Sequence, residues 1–222
     1  MARYWWSSSV DCRSLHWIDW DSLTKPKIAG GMGFRNLEMF NLALLGKHGR
    51  MLITNPESLC ARVLKGKYFP AGEFMDAAIP KHASTTWRAI VVGREALQMG
   101  LIKRIGDGTS VSTWNDSWIP GLLTLRPSVQ IGDAMIPRVA NLINADQGTW
   151  NSELVRHNFI APKAYAILNI LLSFEGGDDS WAWAAEKSGI YSVKSAYRSL
   201  MTRNEHDALG EGTVTEPSQN QK

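Results

Sequence analysis

Two neighbouring aspartates near the end of the chain are the first candidates for chemistry. Asp178 and Asp179 follow Gly176 and Gly177, so two carboxylates lie side by side next to a glycine pair. Such a pair on a β-hairpin could hold Mg²⁺, which prefers hard oxygen ligands. The residues at 174–176 do not form a β-favouring run, and no third acidic motif lies upstream. The pattern therefore predicts a solvated turn and not a metal site.

Two other patterns also fall short of a catalytic or cofactor site. The glycines at 30, 31 and 33 resemble a phosphate-binding loop but lack the Lys-Ser/Thr of a P-loop, so they predict a tight connection into a helix. Cys12 and His16 have helical spacing for metal ligands, yet no second ligand pair accompanies them. The five scattered histidines form no triad pattern. We therefore expect no catalytic residue, no metal and no cofactor.

A group of cations interleaved with aromatic residues is the one constellation that predicts binding. Phosphates attract Lys and Arg, and bases stack on exposed rings. The alternative is that the cations are the solvated faces of amphipathic helices and the rings belong to the core. The candidate nucleic-acid-binding cations are Arg62, Lys65, Lys67, Arg88 and Arg94, and the rings are Tyr68, Phe69 and Trp87.

Charge and composition set broad limits. Residues 1–120 hold 15 Lys/Arg and 10 Asp/Glu, a net charge of +5, whereas residues 121–222 hold 9 and 11, a net charge of −2. This asymmetry permits contact with nucleic acid but does not require it. The chain has no long uncharged apolar run, and its two cysteines are too few for a disulfide framework. We expect a soluble, unsecreted, membrane-free protein in which most of the ten tryptophans lie in a core.

Periodic apolar residues predict several helices. A helix capped by Asn36 carries an apolar stripe at positions 37, 40, 44, 45, 51 and 52. A second helix is expected over 56–67 with Leu59, Val63 and Leu64 facing inward, and a third over 86–99 with Trp87, Ile90, Val91 and Leu97 inward. Shorter helices are predicted around Trp17 and Trp20 and over 139–144, 152–158, 162–171 and 193–201.

Two β-hairpins are predicted between the helices, which makes the fold class α+β. The first joins 101–105 to 110–114 through the Asp107-Gly108 turn, since Asp-Gly supplies the positive φ angles of tight turns. The second spans 181–193 around Lys187, Ser188 and Gly189. After Met201 the chain is almost entirely polar, which predicts a disordered tail over 202–222.

Read together, these strings resemble the C-terminal part of plant LINE-type non-LTR retrotransposon reverse transcriptases, over about residues 4–201. The matching strings are Trp5-Trp6, His16-Trp17 with Trp20, Pro26-Lys27, the run 30–37, the run 40–45, Arg62 to Lys65, Lys67 to Pro70, Trp87-Arg88, Gly93-Arg94, Ile105 to Gly108, Trp114 with Asp116 and Trp118 to Pro120, Trp150-Asn151, Asp179 to Trp183, and Gly189 to Tyr197. Lys103 and Leu171 depart from the family, which usually has Trp and Pro there.

The resemblance implies a fragment without catalytic activity. In that family the Tyr-x-Asp-Asp polymerase motif lies upstream of the residues matched here, and Tyr191 to Lys194 opens the reverse-transcriptase zinc-binding domain, whose Cys and His residues are missing, as is any RNase H domain. The implied division is a thumb- and connector-like helical region ending in a β-hairpin (1–120), a loosely packed connection with short helices (121–180), the truncated start of the zinc-binding domain (181–201) and the tail (202–222).

The implied function is at most weak binding of RNA or DNA. An alternative is a domesticated structural or protein-interaction module whose partners the sequence does not identify, and another is the non-functional product of a degenerate open reading frame. An intracellular location in the nucleus, the cytoplasm or an organelle suits each of these alternatives.

Overall fold

The computed structural model describes residues 17–25, 27–121, 125–127, 130–133, 135–144, 147–172 and 177–211, and these residues form an α+β fold. The α-helices are α1 (Trp20–Thr24), α2 (Leu37–Thr54), α3 (Leu59–Tyr68), α4 (Thr85–Val92), α5 (Arg94–Gln98), α6 (Ser152–Asn158), α7 (Ala161–Leu168) and α8 (Val193–Glu211). The strands are β1 (Leu101–Arg104), β2 (Ile143–Asn144), β3 (Thr149–Trp150) and β4 (Ser180–Trp183). Short 3₁₀-helices cover Lys27–Ala29, Phe74–Asp76 and Val139–Leu142.

The central helix α2 begins where the sequence predicts but turns a different face to the core. The Asn36 side chain accepts a hydrogen bond from the Met39 amide, so the predicted cap is confirmed. Leu44 and Met51, predicted to face inward, are 39% and 48% exposed. Leu52 is buried as predicted, and the other buried positions of the helix are Leu42, Ala43, Gly46 and Gly49.

Small residues on α2 explain the change of face. A Cβ atom at Gly46 would lie 2.5 Å from the Tyr191 hydroxyl oxygen and 2.9 Å from the Ala96 Cβ atom. The missing side chain therefore lets α5 and the segment before α8 approach the α2 backbone closely. Tyr191 uses this approach to donate a hydrogen bond to the Ala43 carbonyl at 2.7 Å. Close packing at these small residues leaves the larger side chains of Leu44 and Met51 at the surface.

Helix α3 confirms the predicted element and corrects its orientation. Leu59 and Val63, predicted to face inward, are 77% and 57% exposed. The side of α3 that packs against the protein instead carries buried Ala61 with half-buried Leu64 and Tyr68. The two exposed residues lie one helical turn apart and form a small apolar strip on the surface.

The third predicted helix exists as two segments, α4 and α5, separated at Gly93. The Ser84 side chain caps α4 by accepting a hydrogen bond from the Trp87 amide. The predicted inward residues Trp87, Ile90, Val91 and Leu97 are all buried, which confirms that part of the expectation.

Both predicted hairpins are wrong, because β1 and β4 pair with each other. The two strands are antiparallel, with Leu101 opposite Trp183 and Arg104 opposite Ser180. A carboxylate distant in sequence explains this pairing: Asp179 accepts hydrogen bonds from the Gly106, Gly108 and Ser110 amides and from the Ser110 hydroxyl, at 2.7–3.0 Å. The Asp107-Gly108 loop thus wraps Asp179 and does not reverse the chain into a second strand.

A shorter hairpin, β2 to β3, lies where the sequence predicts the end of a helix. Ile143 pairs with Trp150, and the chain turns through Gly148, whose φ is 61°. The start of the predicted 139–144 helix survives as the 3₁₀-helix Val139–Leu142. The predicted helix at 152–158 is confirmed as α6, and the one predicted at 162–171 is confirmed as α7 but ends at Leu168.

The buried side chains of the described residues form two clusters. The first gathers α2 to α5 around Trp87 and also receives Trp183, Tyr191, Ala196 and Leu200 from the C-terminal part. The second surrounds Trp118 and contains Val139, Leu142, Val155, Phe159 and Ile167. Residues predicted as a loose connection over 121–180 therefore supply most of a packed core, and those predicted as a separate 181–201 unit share the core of α2. The domain division itself stays a prediction.

The final helix corrects the predicted start of the disordered tail. Helix α8 begins at Val193, as expected, but continues to Glu211. Its first turns are anchored by buried Ala196 and Leu200, and no glycine or proline follows Met201 until Gly210. Residues 212–222 of the predicted tail lie outside the described residues.

Candidate nucleic-acid interface

Three of the predicted cations lie on α3 and are exposed. Arg62 and Lys65 are three positions apart and therefore share one side of the helix. Lys67 is two positions beyond Lys65, about 200° around the helix axis, and lies on another side. The three cations therefore lie on two sides of α3 and do not form a single face.

Lys67 lies beside an aromatic stack. Its Nζ atom is 5.3 Å from the centre of the Tyr68 ring, and that ring stacks on Trp87 with centroids 4.5 Å apart. The Tyr68 hydroxyl hydrogen-bonds to the Ser84 hydroxyl and accepts a hydrogen bond from the Ser84 amide. The Ser84 hydroxyl and amide can both donate to the ionised Tyr68 oxygen, which lowers the pKa of Tyr68. Trp87 is fully buried and Phe69 is 8% exposed, so these two rings belong to the core and are not free to stack on bases.

Arg88 keeps its charge at the surface but its side chain is held in place. The Nε and Nη2 atoms donate hydrogen bonds to the carbonyl oxygens of Ala83 and Lys81, at 3.2 Å and 2.7 Å. The residue is exposed. Its guanidinium is thus a positioned surface cation next to the start of α4.

Arg94 differs from the other four candidates because its guanidinium hydrogen-bonds to backbone carbonyl groups of two separate segments. Nη1 lies within hydrogen-bonding distance of the Phe74, Met75 and Ala77 carbonyl oxygens, and Nε donates to the Val91 carbonyl. Burial lowers the pKa of Arg94, and nearby Asp76 partly opposes that effect. Arg94 therefore joins the 74–77 segment to the junction of α4 and α5, and we leave it out of the proposed interface.

The other sequence patterns have structural explanations where the structure describes them. Asp179 does not lie in a solvated turn as predicted, because its carboxylate holds the 106–110 loop. The glycines at 30 and 33 have φ angles of 80° and 71° and form the predicted tight connection into α2.

Within the described ranges no three His, Cys, Asp or Glu side chains are grouped to hold a metal ion. Cys60 is an exposed thiol, and Cys12 and His16 lie outside these ranges.

Sequence reasoning missed a cavity beside α3. It measures about 150 Å³ and lies between α2, α3, the 69–75 segment and Trp181. Lys65 is one of its lining residues, and the Nζ atom of Lys103 lies 4.0 Å from the centre of the Trp181 ring. Only the pairing of β1 with β4 places Lys103 opposite Trp181, so no local pattern could have located this site.

Comparisons with known proteins identify two plant relatives. The chain is 41% identical over 128 residues to the "Uncharacterized mitochondrial protein AtMg00310" of Arabidopsis thaliana, a match that covers 57% of this chain and 83% of that protein. It is 32% identical over 210 residues to the "Putative ribonuclease H protein At1g65750" of the same plant. This second match covers 88% of the chain and only 32% of the relative, so the chain spans about a third of that protein's length.

No protein-family profile and no solved structure matches the chain. Across the part of the chain that the structure describes, no helix has both the length and the apolar character needed to cross a membrane.

Proposed function

We propose that this chain, which belongs to the plant family of the mitochondrial protein AtMg00310, is a non-catalytic part of a retrotransposon reverse transcriptase that binds single-stranded nucleic acid weakly. The observation that carries the proposal is the pair of exposed cations Arg62 and Lys65 on one side of α3. Lys67 and Arg88 supply further surface charge nearby. Lys and Arg side chains that contact phosphates are sufficient for sequence-independent binding.

The ancestry is proposed from the ordered strings of the sequence and from the second relative. A protein named as a ribonuclease H fits a retroelement origin, because retroelements join such a nuclease to a reverse transcriptase. We place the chain in the LINE-type non-LTR class, between the polymerase motif and the start of the zinc-binding domain.

The catalytic part of the proposal predicts no polymerase activity. Purified protein given a primer annealed to an RNA template, nucleotides and Mg²⁺ should not extend the primer above a mock preparation. The measurement is denaturing electrophoresis of labelled primer, with an active reverse transcriptase as the positive control. Extension that survives further purification would show that the protein is an enzyme.

The binding part of the proposal predicts a steep dependence on salt. Each phosphate contact releases condensed counterions, so about three contacts should give a slope of roughly −2 when log K for a single strand is plotted against log salt. Replacing both Arg62 and Lys65 with alanine should make that slope shallower by about 1 to 1.5. Fluorescence anisotropy of a labelled oligonucleotide across a salt series measures the slope.

The controls distinguish binding at the α3 and α4 cations from a non-specific effect of removing positive charge anywhere on the protein. Arg156 and Lys187 are exposed cations outside α3 and α4, and their double replacement by alanine removes the same charge. A second double variant removes Lys67, on the other side of α3, together with Arg88 on α4. Equal slopes for the wild type and for both the Arg62/Lys65 and Lys67/Arg88 variants would show that these cations are only a solvated surface.

The second candidate function is a protein-interaction module, favoured by the exposed apolar strip of Leu59 and Val63. Under that function, replacing both residues with serine would weaken binding to a protein partner and leave the salt slope unchanged. Under the nucleic-acid-binding function, the Arg62 and Lys65 variant would instead make the salt slope shallower and leave binding to a protein partner unchanged. The two variants therefore distinguish the two classes of function on neighbouring positions of one helix.

A further inference from the structure

We propose that the cavity beside α3 is a subsite for one pyrimidine base of a single-stranded nucleic acid, an inference that rests on the proposed function. The subsite is defined by Trp181 and Lys65 on its wall, together with Ala61, Phe69, Phe74 and Glu73.

The size of the cavity selects the ligand. At about 150 Å³ it is comparable to the engineered protein cavity of about 150 Å³ that accepts one benzene molecule. A six-membered pyrimidine ring is close to benzene in size, whereas the fused rings of a purine would extend out of this space. The exposed residues Gly72 and Glu73 lie on its lining, so a base can enter from solvent.

The chemistry of the lining fits a base better than a phosphate. Most lining side chains are apolar, and the charge of Lys65 is opposed by the carboxylate of Glu73, so the cavity is close to neutral. Trp181 is half-buried and carries the Lys103 ammonium over one face of its ring, so a base would stack on the other face.

The phosphates of the strand have cations available outside the cavity. The Lys103 ammonium lies 4.0 Å from the centre of the Trp181 ring and remains half-exposed. Arg62 is exposed on the same side of α3 as Lys65. A base inserted beside Trp181 would therefore place its flanking phosphates near Lys103 and the α3 cations, which is the combination of stacking and backbone charge found in single-strand binding sites.

The test compares pyrimidine and purine strands of equal length and fills the cavity without removing its wall. Wild-type protein should bind oligo(dT) about fivefold or more tightly than oligo(dA), the equivalent of one stacked base. Ala61→Leu extends a larger side chain into the cavity and should abolish the preference while leaving the salt slope intact. Ala185→Leu, at an exposed position outside the cavity, is the matched control and should retain the preference.

A direct titration separates failure of this inference from failure of the proposed function. Thymidine 5′-monophosphate should shift the NMR signal of the Trp181 indole N–H in the wild type and in Ala185→Leu, but not in Ala61→Leu. If oligonucleotides bind with the expected salt slope while the preference and the indole shift are both absent, the subsite is refuted and the proposed function stands. If neither oligonucleotide binds, the proposed function fails, and the nucleotide titration alone decides whether the cavity takes a pyrimidine.

Discussion

Replacing Trp87 with alanine should lower the free energy of unfolding by about 3–5 kcal/mol, the usual cost of removing a large aromatic side chain from a core. Trp87 is fully buried in the first cluster. Its ring stacks on Tyr68 and Phe69, with centroid distances of 4.5 Å and 5.6 Å, and meets Phe74 edge-on at 5.9 Å. Because these rings join α3, α4 and the 69–76 segment, the cavity left behind could not close without moving several elements. Urea denaturation followed by circular dichroism measures the change.

Trp17 is the matched control for this prediction. It is 80% exposed, so its replacement with alanine should change the free energy of unfolding by no more than about 0.5 kcal/mol. Equal effects of the two substitutions would mean that Trp87 does not lie in the core described above.

The helices could be predicted because their signals are local. Asn36 caps α2 through a hydrogen bond to a residue three positions away, and α6 begins after Asn151 in the same manner. The inward face of α4 was also readable, since Trp87, Ile90 and Val91 recur at helical spacing and no smaller residues compete with them. Local chemistry of this kind decides where a helix begins, whatever it packs against.

The inward faces of α2 and α3 could not be predicted, because small residues lie on the buried sides of these helices. Gly46 and Ala61 contribute little to an apolar pattern, yet both are buried, and at Gly46 another element approaches the helix backbone closely. The larger residues Leu44 and Val63 satisfy the periodicity and lie at the surface. A rule that weights side-chain size assigns the wrong face wherever helices pack through glycine or alanine.

The two hairpin predictions were wrong for a related reason, since β1 and β4 pair with each other although they lie far apart in sequence. Asp-Gly at 107–108 has the composition of a tight turn, but 69 to 73 residues separate its loop from Asp179. The cavity beside α3 could not be predicted for the same reason, since it needs Trp181 from β4 beside α3. Exposure of Arg62, Lys65, Lys67 and Arg88 could be predicted from amphipathic spacing, whereas the role of Arg94 depends on the carbonyl groups of 74–77.

Replacing Asp179 with asparagine should lower the free energy of unfolding at neutral pH by about 2–3 kcal/mol, the range for losing hydrogen bonds to a buried or half-buried charge. The carboxylate accepts four hydrogen bonds from the 106–110 loop. An asparagine amide group would direct donor hydrogens toward donors in part of this site. The loop and the β1–β4 pairing that it follows should both loosen, which hydrogen exchange at the Gly106 and Gly108 amides would report.

The pH dependence of this effect follows from the pKa of the same carboxyl group. Partial burial acts to raise the pKa of Asp179, but the hydrogen bonds from Gly106, Ser110 and Gly108 outweigh it and leave the pKa below its ordinary value. A carboxyl group whose pKa is lowered by folding stabilises the protein above its unfolded pKa of about 3.9 and loses that contribution as the pH falls through the folded value. The stability difference between the wild type and Asp179→Asn should therefore be constant near neutral pH and shrink below about pH 4. Asp178→Asn, at the exposed neighbouring position, is the control, and an equally large loss for it would show that the hydrogen bonds to Asp179 are not the cause.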